Sequence, residues 1–198
     1  MGEISDPAIY EMILQGDAAP FMEWTIRLAT MLRQDSARLV VGDALEGFNP
    51  SHDLCRFMID AAIELAERET GHQIENREFL LEGPPGIVPL GREEGVLILN
   101  LDDSEFAAKK AAAETYEELR GEMERALARF GEAPFRSEVY QTVSRRGPLE
   151  EMFPEPPFYE RFGERRVREG VFRSLIRFHG HVRPLVERLR TGLELSNS

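Results

Sequence analysis

The chain has 198 residues, 24 basic against 36 acidic side chains, a formal net charge of −12 and 42 % hydrophobic residues. That charge weighs against a binder of nucleic-acid phosphates, and no run of about 18 apolar residues is present to span a membrane. A single cysteine, Cys55, excludes an internal disulfide and suits a reducing compartment, and MGEISDPAIY carries no secretory pattern, so a cytoplasmic protein is expected.

Residues 6–15 predict a short helix, with Asp6 as cap and Pro7 in its first turn. Residues 21–33 predict a longer one, with Phe21, Trp24, Thr25, Leu28, Met31 and Leu32 on one apolar stripe. Leu39, Val40 and Val41 read as a buried strand. Residues 42–48 are a polar loop with two glycines, where the backbone needs positive φ or a close approach. Asn49, Pro50, Ser51 and His52 open a helix over 50–69: Asn is a favoured N-cap, and Pro is tolerated in a first turn. Leu54, Phe57, Met58, Ala61, Ala62, Leu65 and Ala66 form its buried face, and Gly71 stops it.

NREFLL at 76–81 and VLILNL at 96–101 predict two further strands, separated by a Pro/Gly-rich loop over 83–95. Asp102, Asp103 and Ser104 supply cap chemistry for one long helix over about 104–129, and EVYQTV at 138–143 alternates as a strand. Residues 146–198 read as a Pro-rich connector and a helix pair, about 160–178 and 182–194, split by His179, Gly180 and His181. Helices alternating with strands predict an α/β fold: a Rossmann-like, mostly parallel sheet over residues 1–145 with helices on both faces. The C-terminal pair is a helical extension whose dense arginines interleave with Glu160, Glu164 and Glu169 as a salt-bridged surface.

The chemical candidates are Asp43, Glu46, Asn49, His52 and Asp53. A strand that ends where a helix begins is where open α/β sheets bind ligands. His52 offers a ring nitrogen for a divalent metal, and Asp43 is either a second ligand or the group that orients the imidazole. The bland alternative is that Asn49 caps, His52 bonds locally and Gly47 serves the turn.

The run GDALEGFNPSHDLCR resembles the second conserved motif of the metal-dependent N-acetylglucosaminyl deacetylases (LmbE-like, PIG-L-like), approximately T-H-P-x-E-G-G-H-P-D-H-x. Glu46, Gly47, Pro50 and His52 match in register. LNLDDSEFAAKKAAAETY resembles that family's following strand and Lys-bearing helix. The resemblance implies a Rossmann-like sheet and a zinc-dependent hydrolase that removes N-acyl groups from amino-sugar conjugates. It places His52 as metal ligand, Asn49 and Asp43 as catalytic positions, and Glu46 and Gly47 as substrate-binding. Asn49 stands where the family has the His that steadies the oxyanion, Ser51 where it has Asp, and Asp43 where it has a strand-end His. The family's first motif, A-H-P-D-D-E, has no counterpart here, so the expectation is a truncated or degenerate relative, or one completed by a second chain or a homo-oligomer. The competing expectations are a non-catalytic binder of a sugar, nucleotide-sugar or protein partner, and, ranked last, a nucleotide or SAM binder using GDALEG, which lacks the G-x-G-x-x-G spacing.

Overall fold

The computed structural model describes residues 4–88, 94–143 and 147–195, without the side chains of 117–119 and 194–195. The elements run α1 (Asp6–Gln15), α2 (Ala19–Gln34), β1 (Leu39–Asp43), α3 (Pro50–Thr70), β2 (Glu75–Phe79), β3 (Leu97–Asn100), α4 (Asp103–Glu114), α5 (Glu117–Phe130), β4 (Ser137–Thr142), α6 (Phe158–Arg168) and α7 (Arg183–Leu195). The expected α/β character holds. The expected mostly parallel, Rossmann-like sheet does not. The strand order is β1-β2-β4-β3, with β4 antiparallel to both β2 and β3, so the sheet is mixed and mostly antiparallel. Arg77 pairs with Thr142, and Leu97 with Tyr140. The last strand in sequence is inserted between the two before it, a non-local pairing that the periodicity of each strand does not specify.

The chain divides into two compact units, Met1–Asn76 with Val143–Ser198, and Arg77–Thr142. The first holds the main core: Ile13, Phe21, Ala29, Leu54, Phe57, Ala62, Leu65, Phe178, Val182, Leu185, Val186, Leu189 and Leu193. The α3 face expected to be buried is buried, apart from a half-covered Met58. The α2 stripe faces the core as expected, with Phe21 and Thr25 buried beside Ala29 and Trp24, Leu28 and Leu32 packed half-buried against it, while Met31 departs from it at 48 % exposed. Thr25 satisfies its hydroxyl on the Phe21 carbonyl, one turn back at 2.8 Å, so a polar side chain sits in the core at little cost. β1 is not the buried strand expected. It is the first strand in the sheet order, and Leu39 and Val41 are exposed while Gly42 is buried.

In the second unit the expected 104–129 helix is two helices. Thr115 turns its hydroxyl onto the Ala112 carbonyl, Arg120 donates to the Glu114 carbonyl, and Tyr116 adopts extended backbone before α5. Asp102 and Glu105 form a capping box at the start of α4, so Asp102 caps as expected.

The expected 160–178 helix also ends early. Gly170 adopts φ 71°, a left-handed stop, and residues 171–177 are irregular before a π-helical turn, Phe178–Val182, leads into α7. His181 is spent there: its Nδ1 accepts from the Arg177 backbone N–H at 2.9 Å. The predicted 83–95 loop falls partly outside the described residues.

Candidate functional site

β1 ends on Asp43, and α3 opens with Asn49 as N-cap, so His52 occupies the third helical position. Extended backbone at Asn49 (φ −130°, ψ 123°) and Pro50 at N1 set the angle at which the chain coils. The result brings Asp43 Oδ2 to 2.5 Å from His52 Nδ1. The His52 side chain is 45 % exposed, and that of Asp43 23 %. The hydrogen bond to Asp43 holds the imidazole above its usual value, against a smaller opposing pull from partial burial, with the Asp43 charge adding to the rise. With Nδ1–H donating to the carboxylate, Nε2 is the nitrogen left for chemistry, the arrangement in which a carboxylate fixes tautomer and ring orientation.

Asn49 does two things at once. Its Oδ1 accepts from Ser51 N (2.9 Å), Ser51 Oγ (2.8 Å) and Tyr10 Oη (3.4 Å). Those bonds commit the carbonyl end of the amide to capping and leave the Nδ2 end as the donor. Glu46 is half-buried, and its backbone N–H donates to Asp53 Oδ1 at 3.2 Å. Gly47 is buried at φ 67°; its N–H also goes to Asp53 Oδ1 (3.1 Å), and its carbonyl accepts from Tyr159 N (3.3 Å). Phe153 and Pro157 lie where a Gly47 side chain would be. Gly47 therefore serves the turn and the packing of α6 on the loop.

Asp53 was only the fifth candidate from the sequence, and it is strongly perturbed. It is 1 % exposed, with Oδ1 held by two backbone N–H groups and Oδ2 buried without a hydrogen-bond partner among the described residues. Burial drives its carboxyl up to about 7, against the two backbone bonds. Tyr159, which sequence reasoning did not single out, is 7 % exposed with its hydroxyl likewise unpartnered, and burial with the Asp53 charge raises it above the usual phenol range. No spacing rule links positions 53 and 159, so only their meeting at Gly47, Asp53 on its N–H and Tyr159 on its carbonyl, reveals the pair. Arg56, also missed, is fully buried, and Nη2 reaches Asp60 and Asn76, each at 2.8 Å.

A metal fits these donors poorly. Only Nε2 of His52 is open to a metal, since Asp43 is engaged at Nδ1 across the ring, where a catalytic zinc takes about three protein ligands. Among the described residues no group of three or more His, Cys, Asp or Glu stands where it could share a metal ion. Comparison of the chain with family models, curated proteins and solved structures finds no match to any of them.

Proposed function

We propose that the β1–α3 junction is the acid–base centre of a hydrolase acting on N-acylated amino-sugar conjugates, the substrate class suggested by the resemblance of residues 42–56. The observation that carries this reading is the 2.5 Å Asp43–His52 contact beneath a half-exposed ring. In this reaction His52 Nε2 removes a proton from water, whose oxygen bonds to the amide carbon. Asn49 Nδ2 donates to the oxyanion that develops. As the C–N bond breaks, the imidazolium returns the proton to the departing amine, yielding a free amine and acetate. Asp43 keeps the ring in the productive tautomer and stabilises its cationic form. No step is routed through a metal.

The test is acetate release from N-acetylglucosamine and its glycosides, measured with chelator and with added zinc. His52→Ala should lower the rate by about 10² to 10⁴, the usual worth of a positioned base, with the far-UV spectrum unchanged. Wild-type acetate release that His52→Ala leaves intact would remove the imidazole from the reaction. A second reading is a non-catalytic sugar- or nucleotide-sugar binder, the alternative the same resemblance leaves open. Saturable sugar binding without acetate release would select it.

A further inference from the structure

The end of α3 remote from His52 lies about 27 Å away along the helix axis. There α2 and α3 finish beside one another. α2 stops on Ser36, which alone among the described non-glycine residues has a positive φ (49°). The N–H groups of Ser36 and Ala37 fold back onto the carbonyls of Arg33 and Leu32. α3 stops on Gly71, at φ 69°. Neither turn fills the space between the two helix ends, and a cavity of about 90 Å³ remains. Its floor is apolar, built from Leu32, Ala66 and Ile74 of the second core cluster.

The chain as a whole is strongly acidic, yet no Asp or Glu lines this cavity. Its ionisable lining is Arg33, Arg38 and His72. Arg33 is spent on Glu69. The side chains of Arg38 and His72 are exposed and have no hydrogen bond or ion pair among the described residues. Glu67, on the last turn but one of α3, is committed to the chain itself, its Oε1 accepting from Ile74 N–H at 2.6 Å. Orphan carbonyls at helix C-termini repel anions. Here they are engaged: Met31, Leu32 and Arg33 accept from Asp35, Ala37 and Ser36, while Ala66 and Glu67 accept from Thr70 Oγ1 and Gly71 N–H. An unpaired guanidinium at the edge of an apolar hollow matches a ligand that is anionic at one end and apolar at the other. The planar fork of an arginine meets both oxygens of a carboxylate.

We propose that this cavity binds a small monocarboxylate, its carboxylate on Arg38 and His72 and its short aliphatic tail on Leu32, Ala66 and Ile74. The site is separate from the β1–α3 centre and needs neither Asp43 nor His52. Phosphate is the discriminating control, because an apolar floor leaves its remaining oxygens without donors.

The experiment titrates the full chain with butyrate, acetate, butanol and inorganic phosphate at fixed pH and ionic strength, followed by amide proton–nitrogen NMR. Butyrate is expected to saturate in the roughly millimolar range. It should move the amide signals of Ala37, Ala66 and Ile74 and leave that of His52 in place. Acetate, shorter by two buried methylenes, should bind about tenfold more weakly. Butanol, which keeps the tail and lacks the charge, should also lose about tenfold or more. Arg38→Gln should weaken butyrate about tenfold, and Arg38→Lys less, since it keeps the charge and loses the fork. His72→Ala should weaken it further in combination. Both side chains are exposed and unpartnered, so these variants leave the fold intact. Butyrate binding retained in His52→Ala supports a site separate from the β1–α3 centre, whatever becomes of acetate release there. No saturation by butyrate, phosphate or butanol binding as tightly as butyrate, acetate equal to butyrate, signals that move at His52 instead of Ala66, or unchanged affinity in Arg38→Gln/His72→Ala overturns the proposal.

Discussion

Replacing Asp53 with Asn tests the most unusual feature of the site. In the unfolded chain this carboxyl titrates near its ordinary value of 3.8; in the folded protein it titrates at about 7. Between those values the folded state holds a proton that the unfolded state has lost. Stability therefore falls as pH rises from about 4 to 7. At about 1.36 kcal/mol for each pH unit separating the two, the loss sums to about 4 kcal/mol, a large part of the 5–15 kcal/mol typical of a domain. Because Asp53 is almost fully buried, solvent does little to soften the effect. Asn keeps an Oδ1 to receive Glu46 N–H and Gly47 N–H but never ionises. Urea unfolding followed by circular dichroism at pH 5, 6, 7 and 8 samples the upper part of that interval and should show wild type losing about 2–3 kcal/mol more than Asp53→Asn. His52 contributes in the same direction in both proteins: its folded value is raised, so its stabilisation is complete below 6.5 and lost above that as pH climbs. The difference between the two slopes isolates Asp53. Identical slopes would mean the carboxyl is ionised at neutral pH and that its burial costs little.

Other consequences are independent of that one. Asp43→Asn keeps an acceptor for Nδ1–H but removes the carboxylate charge that holds the imidazole above 6.5, so the His52 midpoint in an NMR titration should drop; a midpoint that stays put would put the shift down to another group. Asn49→Ala takes away the N-cap of a 21-residue helix and should cost about 1 kcal/mol in chemical unfolding, with no loss expected only if Ser51 takes over the cap. Gly47→Ala meets a left-handed backbone and a Cβ position 2.9 Å from the Phe153 ring and 3.0 Å from Pro157, so about 1–3 kcal/mol should be lost. A neutral result there would show that α6 shifts freely on the loop.

Much of the site was readable along the chain, because its main contact is short in sequence. Asp43 and His52 are nine residues apart, and a strand end, a glycine-bearing loop and an Asn-Pro helix start leave few ways to arrange them. Phe48 lies in the same loop, but nothing local says that its ring stacks on Phe158, far along the chain. Asp53 shows the same limit. Its helical position was plain, while its burial depends on α6 arriving with Tyr159 over the Gly47 carbonyl.

Helix periodicity, caps and stops are local physics: they depend on neighbours three or four residues away and on which backbone angles a residue tolerates. So α1, α2, α3 and α7 stand close to where composition alone puts them, and Asn49 caps as its side chain allows. Strand partnership has no such local code. VLILNL and EVYQTV pair equally well as parallel or antiparallel strands until the whole core chooses, and here β4 enters between β2 and β3 to give a mixed, mostly antiparallel sheet. Tertiary packing also decided which carboxyl keeps its proton, since desolvation depends on what the rest of the chain lays over a side chain and not on its neighbours in sequence.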